Sequence, residues 1–325
     1  MTRMRDVVDR FNADAQSKRI ASCLEFSAQD DGFGGESLLV RVKAASKNGS
    51  PSLRQVDPYV MLFFSQARAT HPEAPVTSIT ISLDMRPRAC DLECFRRRFS
   101  YLAQNHGVRA LLFVDGSAEG LYLSRNELLG RPAHEVHDLD EMKPRGNSRD
   151  SEGRIEKHLQ TWLAGEQRKS NERLAVLGAT CFCGHRGVQP RVLREYPTGI
   201  FDSKRSNKSR VLPTYWVDLV TVNTAGDLAV VELKVNDKKL DVVAQILDYA
   251  LFFACYRKQL AANLTRQLGV TVKAEGRTAC YIASNVFHPH FPEVARMYAP
   301  AAKTWSFSFH QLEIGRSTRF DSVRA

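Results

Sequence analysis

No part of the chain holds the run of about eighteen apolar residues that a membrane-spanning helix requires, so no helical span is expected. The opening residues, Met1-Thr2-Arg3-Met4-Arg5-Asp6, mix charges and lead into no apolar signal core, so export is not expected either. Cysteine is sparse. Seven residues, an odd number scattered along 325, do not read as a disulfide framework, and a reducing cytoplasm is the compartment they suit. Gly32-x-Gly34-Gly35 lacks the Gly-Lys-Ser/Thr of a phosphate-binding loop, which argues against a nucleotide-driven motor. Cys181-x-Cys183-x-His185 is tightly spaced with no second ligand pair nearby, so zinc is not expected there. There is no internal repeat and no low-complexity tract.

What is present is a globular composition, 43% hydrophobic and 25% charged, in a chain long enough for two domains with separate cores. The net charge of +10 is unevenly spread. Residues 1–150 carry 21 Lys+Arg against 20 Asp+Glu, whereas residues 151–325 carry 25 against 16. The second half therefore has the electrostatic character of a module that meets phosphates, although a basic half also serves plain solubility.

The polar stretch 142–153, with a proline and two glycines, reads as a linker between an N-terminal domain (1–141) and a C-terminal one (154–325). Apolar alternation predicts strands near Ser37–Lys43, Thr77–Leu83 and Arg109–Val114, and helical spacing appears at Met4–Asn12 and Asp91–Gln104. The first domain is thus α/β or α+β, and no motif assigns it a role. Beyond the linker, a helix is expected over Arg154–Leu163, then strands near Arg191–Glu195, Tyr215–Val222 and Leu228–Val235. A long helix over Leu240–Leu260, a strand at Thr278–Ala283, a helix at Phe291–Met297 and a strand at Thr304–Phe309 complete it. That order describes an α/β sandwich around a central mixed sheet.

The segment Trp216–Val235 carries the chemical argument. Asn223-Thr-Ala-Gly-Asp227 is suitable turn sequence for a hairpin. If the turn is centred on Ala225, Val220 faces Val230 and Asp218 faces Glu232, with β-carbons about 4.5–5.5 Å apart. Alternation puts Lys234 on the same face as Glu232 and turns Val231, Leu233 and Val235 towards the core. Two opposed carboxylates repel, by roughly 3 kcal/mol at an effective dielectric of about 20, and a divalent cation between them removes that cost. The tripeptide Glu-x-Lys alone reads as a solvated strand face with an internal ion pair, and only the rest of the constellation points elsewhere. On the helix that follows, Gln245 and Tyr249 lie four apart on one face, and Glu156 lies on the helix before the strands.

Asp218, the hairpin to Glu232-x-Lys234, and the helix with Gln245-x-x-x-Tyr249 together resemble the QxxxY branch of the PD-(D/E)xK nuclease superfamily, over roughly residues 150–310. The resemblance implies a restriction-endonuclease-like α/β sandwich hydrolysing phosphodiester bonds, in DNA before RNA. It implies magnesium or manganese on Asp218 and Glu232, with Lys234 assisting the attacking water. Gln245 and Tyr249 are then expected to shape the site, and Glu156 to complete it. The proline common before the Asp is Val217 here. Lys204, Arg205, Lys208 and Arg210, in the loop ahead of the Asp strand, are expected to meet the phosphate backbone. A nucleic-acid-binding module of the same fold without turnover is the alternative. Partners are thus nucleic acid and no membrane, with oligomeric state open and a dimer among the options.

Overall fold

The structure, a computed structural model, describes residues 20, 22–30, 36–43, 52–70, 76–130, 135–136, 151–164, 190–201, 209–212, 216–300, 305–314 and 323–324. The helix expected at Met4–Asn12, the linker as far as residue 150, the Cys181–His185 cluster and the loop residues Lys204, Arg205 and Lys208 lie outside the described residues. The chain is an α/β protein with two mixed sheets. No helix among the described residues is long and apolar enough to cross a membrane.

It divides into two compact units that interleave along the sequence. One gathers residues 1–131 with 239–247 and 288–301, and the other gathers 132–238 with 248–287 and 302–325.

The first unit holds a five-stranded sheet in sequential order: β1 (Leu24–Asp30), β2 (Glu36–Val42), β3 (Val76–Leu83), β4 (Arg109–Val114) and β5 (Ser117–Glu119). The central strands β2, β3 and β4 are parallel, which requires crossovers, and helices α1 (Leu53–Thr70) and α2 (Ala89–His106) supply them. A short helix, α3 (Arg125–Leu129), follows β5, with Ser124 capping its N-terminus by accepting from Glu127 N–H. Helix α1 and strand β1 have no counterpart in the sequence reading. Pro58 sits inside α1, and the stretch Val60–Phe64 is continuously apolar and fully buried, so neither a polar face nor a clean helical period marks the segment.

Helix α6 (Phe291–Tyr298) belongs to this unit although it lies late in the chain. Its Phe291, Val294 and Tyr298 are buried, and the helix packs against α1. Its last turn presents carbonyls that α2 side chains satisfy. His106 Nε2 bonds Met297 O at 2.7 Å, Tyr101 donates to Tyr298 O at 2.8 Å, and Asn105 donates to Ala299 O at 2.9 Å. Beneath them Arg98 and Asp57, both 1% exposed, form a bidentate pair at 2.8 and 3.0 Å, with the Tyr298 hydroxyl donating to Asp57 at 2.7 Å.

The second unit holds helix α4 (Ser151–Ala164), which begins three residues before the expected start and takes in the last residues of the expected linker. Its sheet runs in the order β13 (Val323–Arg324), β12 (Phe307–Ile314), β11 (Thr278–Ser284), β10 (Leu228–Lys234), β9 (Trp216–Val222), β7 (Leu193–Pro197). Strands β10, β11 and β12 are parallel, and β7, β9 and β13 are antiparallel to their neighbours. A two-stranded ribbon, β6 (Glu135–Val136) with β8 (Ile200–Phe201), stands apart from that sheet. Helix α5 (Asp241–Leu268), whose residues up to Leu247 group with the first unit, makes the parallel crossover from β10 to β11, and runs eight residues beyond the expected end. One face of the sheet, with Leu219, Val231, Leu233, Ala279 and Tyr281, packs on Leu159 and Leu163 of α4. Alternation places Asp218, Glu232 and Lys234 on the opposite face.

Candidate functional site

The hairpin registers as expected. Val220 pairs with Val230, and the ladder runs from Leu228↔Val222 to Val231↔Leu219. Asn223 builds the turn: its side-chain oxygen accepts from Ala225 N–H at 3.1 Å and Asp227 N–H at 2.9 Å, and Gly226 takes the left-handed φ of 81° that closes it.

The ladder ends one position short of Asp218 and Glu232, so these two are not a paired couple within it. Strand β10 runs on beyond its pairing with β9, and its alternate N–H groups need other acceptors. The carboxylates provide them. Asp218 Oδ2 accepts from Leu233 N–H at 2.8 Å, and Glu156 Oε1, on α4, accepts from Val235 N–H at 3.1 Å. Asn236, left-handed with φ of 58°, donates its N–H to Asn285 Oδ1 at 2.8 Å, and the Asn285 amide returns a bond to Asn236 Oδ1 at 2.8 Å. Asn285 follows β11, the parallel neighbour of β10, so this pair ties the carboxyl ends of both strands beside Lys234.

Glu232 is 1% exposed. Its Oε1 binds Lys234 Nζ at 2.6 Å, while Oε2 is shielded and meets no hydrogen-bond donor. A buried carboxylate oxygen without a donor is expensive, because desolvation is not repaid. All three carboxylates thus share one arrangement: one oxygen is held by the protein, and the other makes no bond to the described residues.

The charges respond to one another. Burial pushes the Asp218 carboxyl well above its usual range; the Glu232 charge adds to this, and Lys234 and the Leu233 N–H oppose it. Burial likewise raises Glu156, partly offset by Lys234 and the Val235 N–H. For Lys234 burial acts to lower the ammonium, but the charges of Glu232, Asp218 and Glu156 outweigh it and the net direction is upward. Lys234 is therefore a cation at neutral pH.

A hard, oxygen-seeking cation fits this donor set. Magnesium takes one or two protein carboxylates and keeps its remaining positions for water and phosphate oxygens. Asp218 and Glu232 could supply such a pair, and the donor-less Glu232 Oε2 is the atom such a cation would satisfy. Among the described residues no group of three or more His, Cys, Asp and Glu side chains is disposed to hold a metal, so Glu156 does not join them as a third ligand in this arrangement.

The other expected residues take different places. Tyr249, fully buried on α5, donates its hydroxyl to Trp216 O at 3.0 Å and so pins the start of β9, two residues from Asp218. Gln245 is half-buried one helical turn earlier. Arg210 bridges to Phe201 through the backbone, and its guanidinium lies over the Phe201 ring at 5.0 Å with Nε and Nη1 shielded from solvent.

Glu195 was not foreseen. It breaks the β7–β9 ladder between Arg194↔Leu219 and Tyr196↔Val217, opposite Asp218, with a left-handed φ of 49°. Its carboxylate approaches Lys157 and Arg194 at 3.9 Å each. No local pattern announces such a break. A cavity of about 650 Å³, lined by Gly226, Asp227, Gly269 and Arg277, lies at the turn end of β9 and β10. It is roughly 16 Å of strand away from Glu232, at about 3.3 Å per residue, and is not part of the carboxylate site.

No family model matches the chain, and neither does any curated protein or solved structure.

Proposed function

We propose that the second unit is a restriction-endonuclease-like domain and that the protein is a divalent-metal-dependent nuclease acting on DNA. The observation that carries this reading is Glu232, a fully buried carboxylate with one oxygen on Lys234 and the other without a donor, on the strand beside Asp218. Asp218 and Glu232 hold magnesium or manganese. When bound, the ion polarises the phosphoryl oxygen and lowers the pKa of a water molecule. The Leu233 N–H fixes the Asp218 carboxylate, leaving its second oxygen directed by the first. Lys234, held by Glu232, stays protonated, so its part is to donate to a phosphate or water oxygen and steady the growing charge rather than to remove a proton. Glu156 acts on the site through Val235 N–H, by setting the end of β10 that carries Lys234. The excess of positive charge in residues 151–325, 25 Lys+Arg against 16 Asp+Glu, suits a phosphate-bearing substrate.

The second reading, a nucleic-acid-binding module without turnover, draws on the lack of a three-ligand metal group among the described residues. One experiment separates the two. Wild type and Glu232→Gln are incubated with labelled single- and double-stranded DNA and RNA, in magnesium, manganese or chelator. Cleavage by wild type with metal, lost in chelator and at least about 10³-fold lower in the variant, supports the nuclease. Binding without cleavage by wild type supports the module, and equal cleavage by both proteins removes Glu232 from the chemistry.

A further inference from the structure

We infer that Trp216 is a stacking platform for an unpaired base next to the scissile phosphate, so that the substrate is a single strand, or a duplex opened at the point of cleavage. The inference rests on the nuclease reading and goes beyond it by naming the state of the nucleic acid.

The burial pattern along β9 places Trp216 and Asp218 together. Both are half-buried while Val217 and Leu219 between and after them are fully buried, and alternation puts the indole and the carboxylate on one face, at the less covered start of the strand. Two strand positions separate them by about 6–7 Å along the chain, so a nucleotide whose phosphate meets Asp218 has its own or its neighbour's base within reach of the ring.

The fold itself makes little use of this indole. Among the described residues the ring stacks on no aromatic side chain and takes no cation over its face, and the indole N–H is shielded from solvent with no acceptor. A tryptophan inside a protein ordinarily finds a partner for that N–H, and leaving it unmet costs stability. By contrast the backbone under the ring is secured, with Trp216 O accepting the buried Tyr249 hydroxyl at 3.0 Å. The residue is thus a half-buried tryptophan on a secured backbone, whose ring meets no aromatic or cationic partner among the described residues, two positions from a candidate metal ligand. Every base has a π-face, so such a surface binds unpaired nucleotides without reading their sequence, whereas paired bases keep their faces inside the duplex.

The test uses the full chain carrying Glu232→Gln, in chelator, with Trp216 fluorescence isolated by Trp162→Phe and Trp305→Phe. If that combination fails to fold, the difference between spectra with and without Trp216→Phe reports the same residue. An oligothymidylate and a blunt duplex of equal length are titrated in. Stacking predicts quenching by the single strand and little by the duplex. Trp216→Ala should weaken single-strand binding roughly tenfold, within the range of one base–aromatic stack, and leave duplex binding within about twofold. Trp216→Phe keeps a ring, so it should retain most of the affinity and, having lost an unmet donor, melt no lower. Equal quenching by both ligands, no quenching, or unchanged affinity in Trp216→Ala overturns the platform. If those results accompany metal-dependent cleavage that Glu232→Gln abolishes, the nuclease stands and the platform alone falls. If Glu232→Gln cleaves as wild type does, the nuclease reading falls whatever the fluorescence.

Discussion

Asp218 carries two tasks that the sequence displays only in part. Strand alternation and the turn centred on Ala225 brought it to the face of Glu232 and Lys234, and the observed register agrees up to Leu219↔Val231. What alternation could not tell is where the ladder stops, because that depends on how β10 diverges from β9. The divergence turns the Asp218 and Glu156 carboxylates into acceptors for Leu233 and Val235 N–H. It also leaves Asp218 with a raised pKa, chiefly through burial and then through Glu232. Asp218→Asn should therefore stabilise the metal-free protein, since the amide oxygen can keep the Leu233 bond while the repelled charge is gone. Magnesium should stabilise wild type by about 1.4 kcal/mol if its Kd is about 1 mM and the ion is at 10 mM, a melting shift of about 2–6 °C, and should do little for the variant. Melting curves at matched ionic strength check this, because screening alone softens repulsion. A variant that melts below wild type without metal, yet keeps the full magnesium shift, would mean that the two carboxylates do not share a cation.

At the level of elements, legibility followed local signals. The hairpin was readable because Asn223 and Gly226 are the residues its turn needs, and β4 because Ala110–Val114 is a short apolar run bounded by Gly107 and Asp115-Gly116. The segment that became α1 hides its period behind Pro58 and a run buried on every side. The grouping of α6 with the first unit was not readable either. Its buried residues Phe291, Val294 and Tyr298 name an apolar face but not the surface that receives it, and the Asp57–Arg98 pair that meets Tyr298 is more than 190 residues away along the chain. Tyr249 shows the same limit from the other side. Its place on α5 was legible, but its hydroxyl serves the backbone of β9. Tyr249→Phe should accordingly cost about 1 kcal/mol of stability by leaving Trp216 O unmet. It should also lower cleavage by loosening the strand start beneath Asp218. Chemical denaturation and single-turnover cleavage measured on the same preparation test both halves. An unchanged midpoint with reduced turnover would instead put the hydroxyl in the reaction.

Across the whole molecule, the two units carry ionisable groups of opposite sense, and the pH dependence of stability should separate them. In the first unit His106 is lowered by burial and by Arg68, against the pull of its bond to Met297 O. A histidine held neutral in the fold but free to protonate when unfolded costs stability as pH falls through the unfolded value of about 6.5. In the second unit the metal-free carboxyls of Asp218 and Glu156 are raised, so the fold binds protons that the unfolded chain has already released. Their contribution therefore improves as pH falls from neutral towards the raised values, and levels off only below the ordinary carboxyl range near 4. His310, lowered mainly by burial, opposes them within the same unit. The observed profile is the difference of these slopes, and single substitutions resolve it. His106→Gln removes the titrating ring while an amide can still reach Met297 O, and should lessen the loss of stability on the acid side of about pH 6.5. Asp218→Asn removes the opposing gain, and should make the metal-free protein lose stability more steeply with acid than wild type does. On the proposed function magnesium would bind the deprotonated carboxylates, so with metal present wild type should approach the steeper profile of that variant. Melting temperatures from pH 8 to pH 5 for the three proteins, in chelator and in magnesium, provide the comparison. If Asp218→Asn leaves the chelated profile unchanged, the carboxyl does not take up a proton on folding, and the repulsion by Glu232 on which the cation site depends is absent.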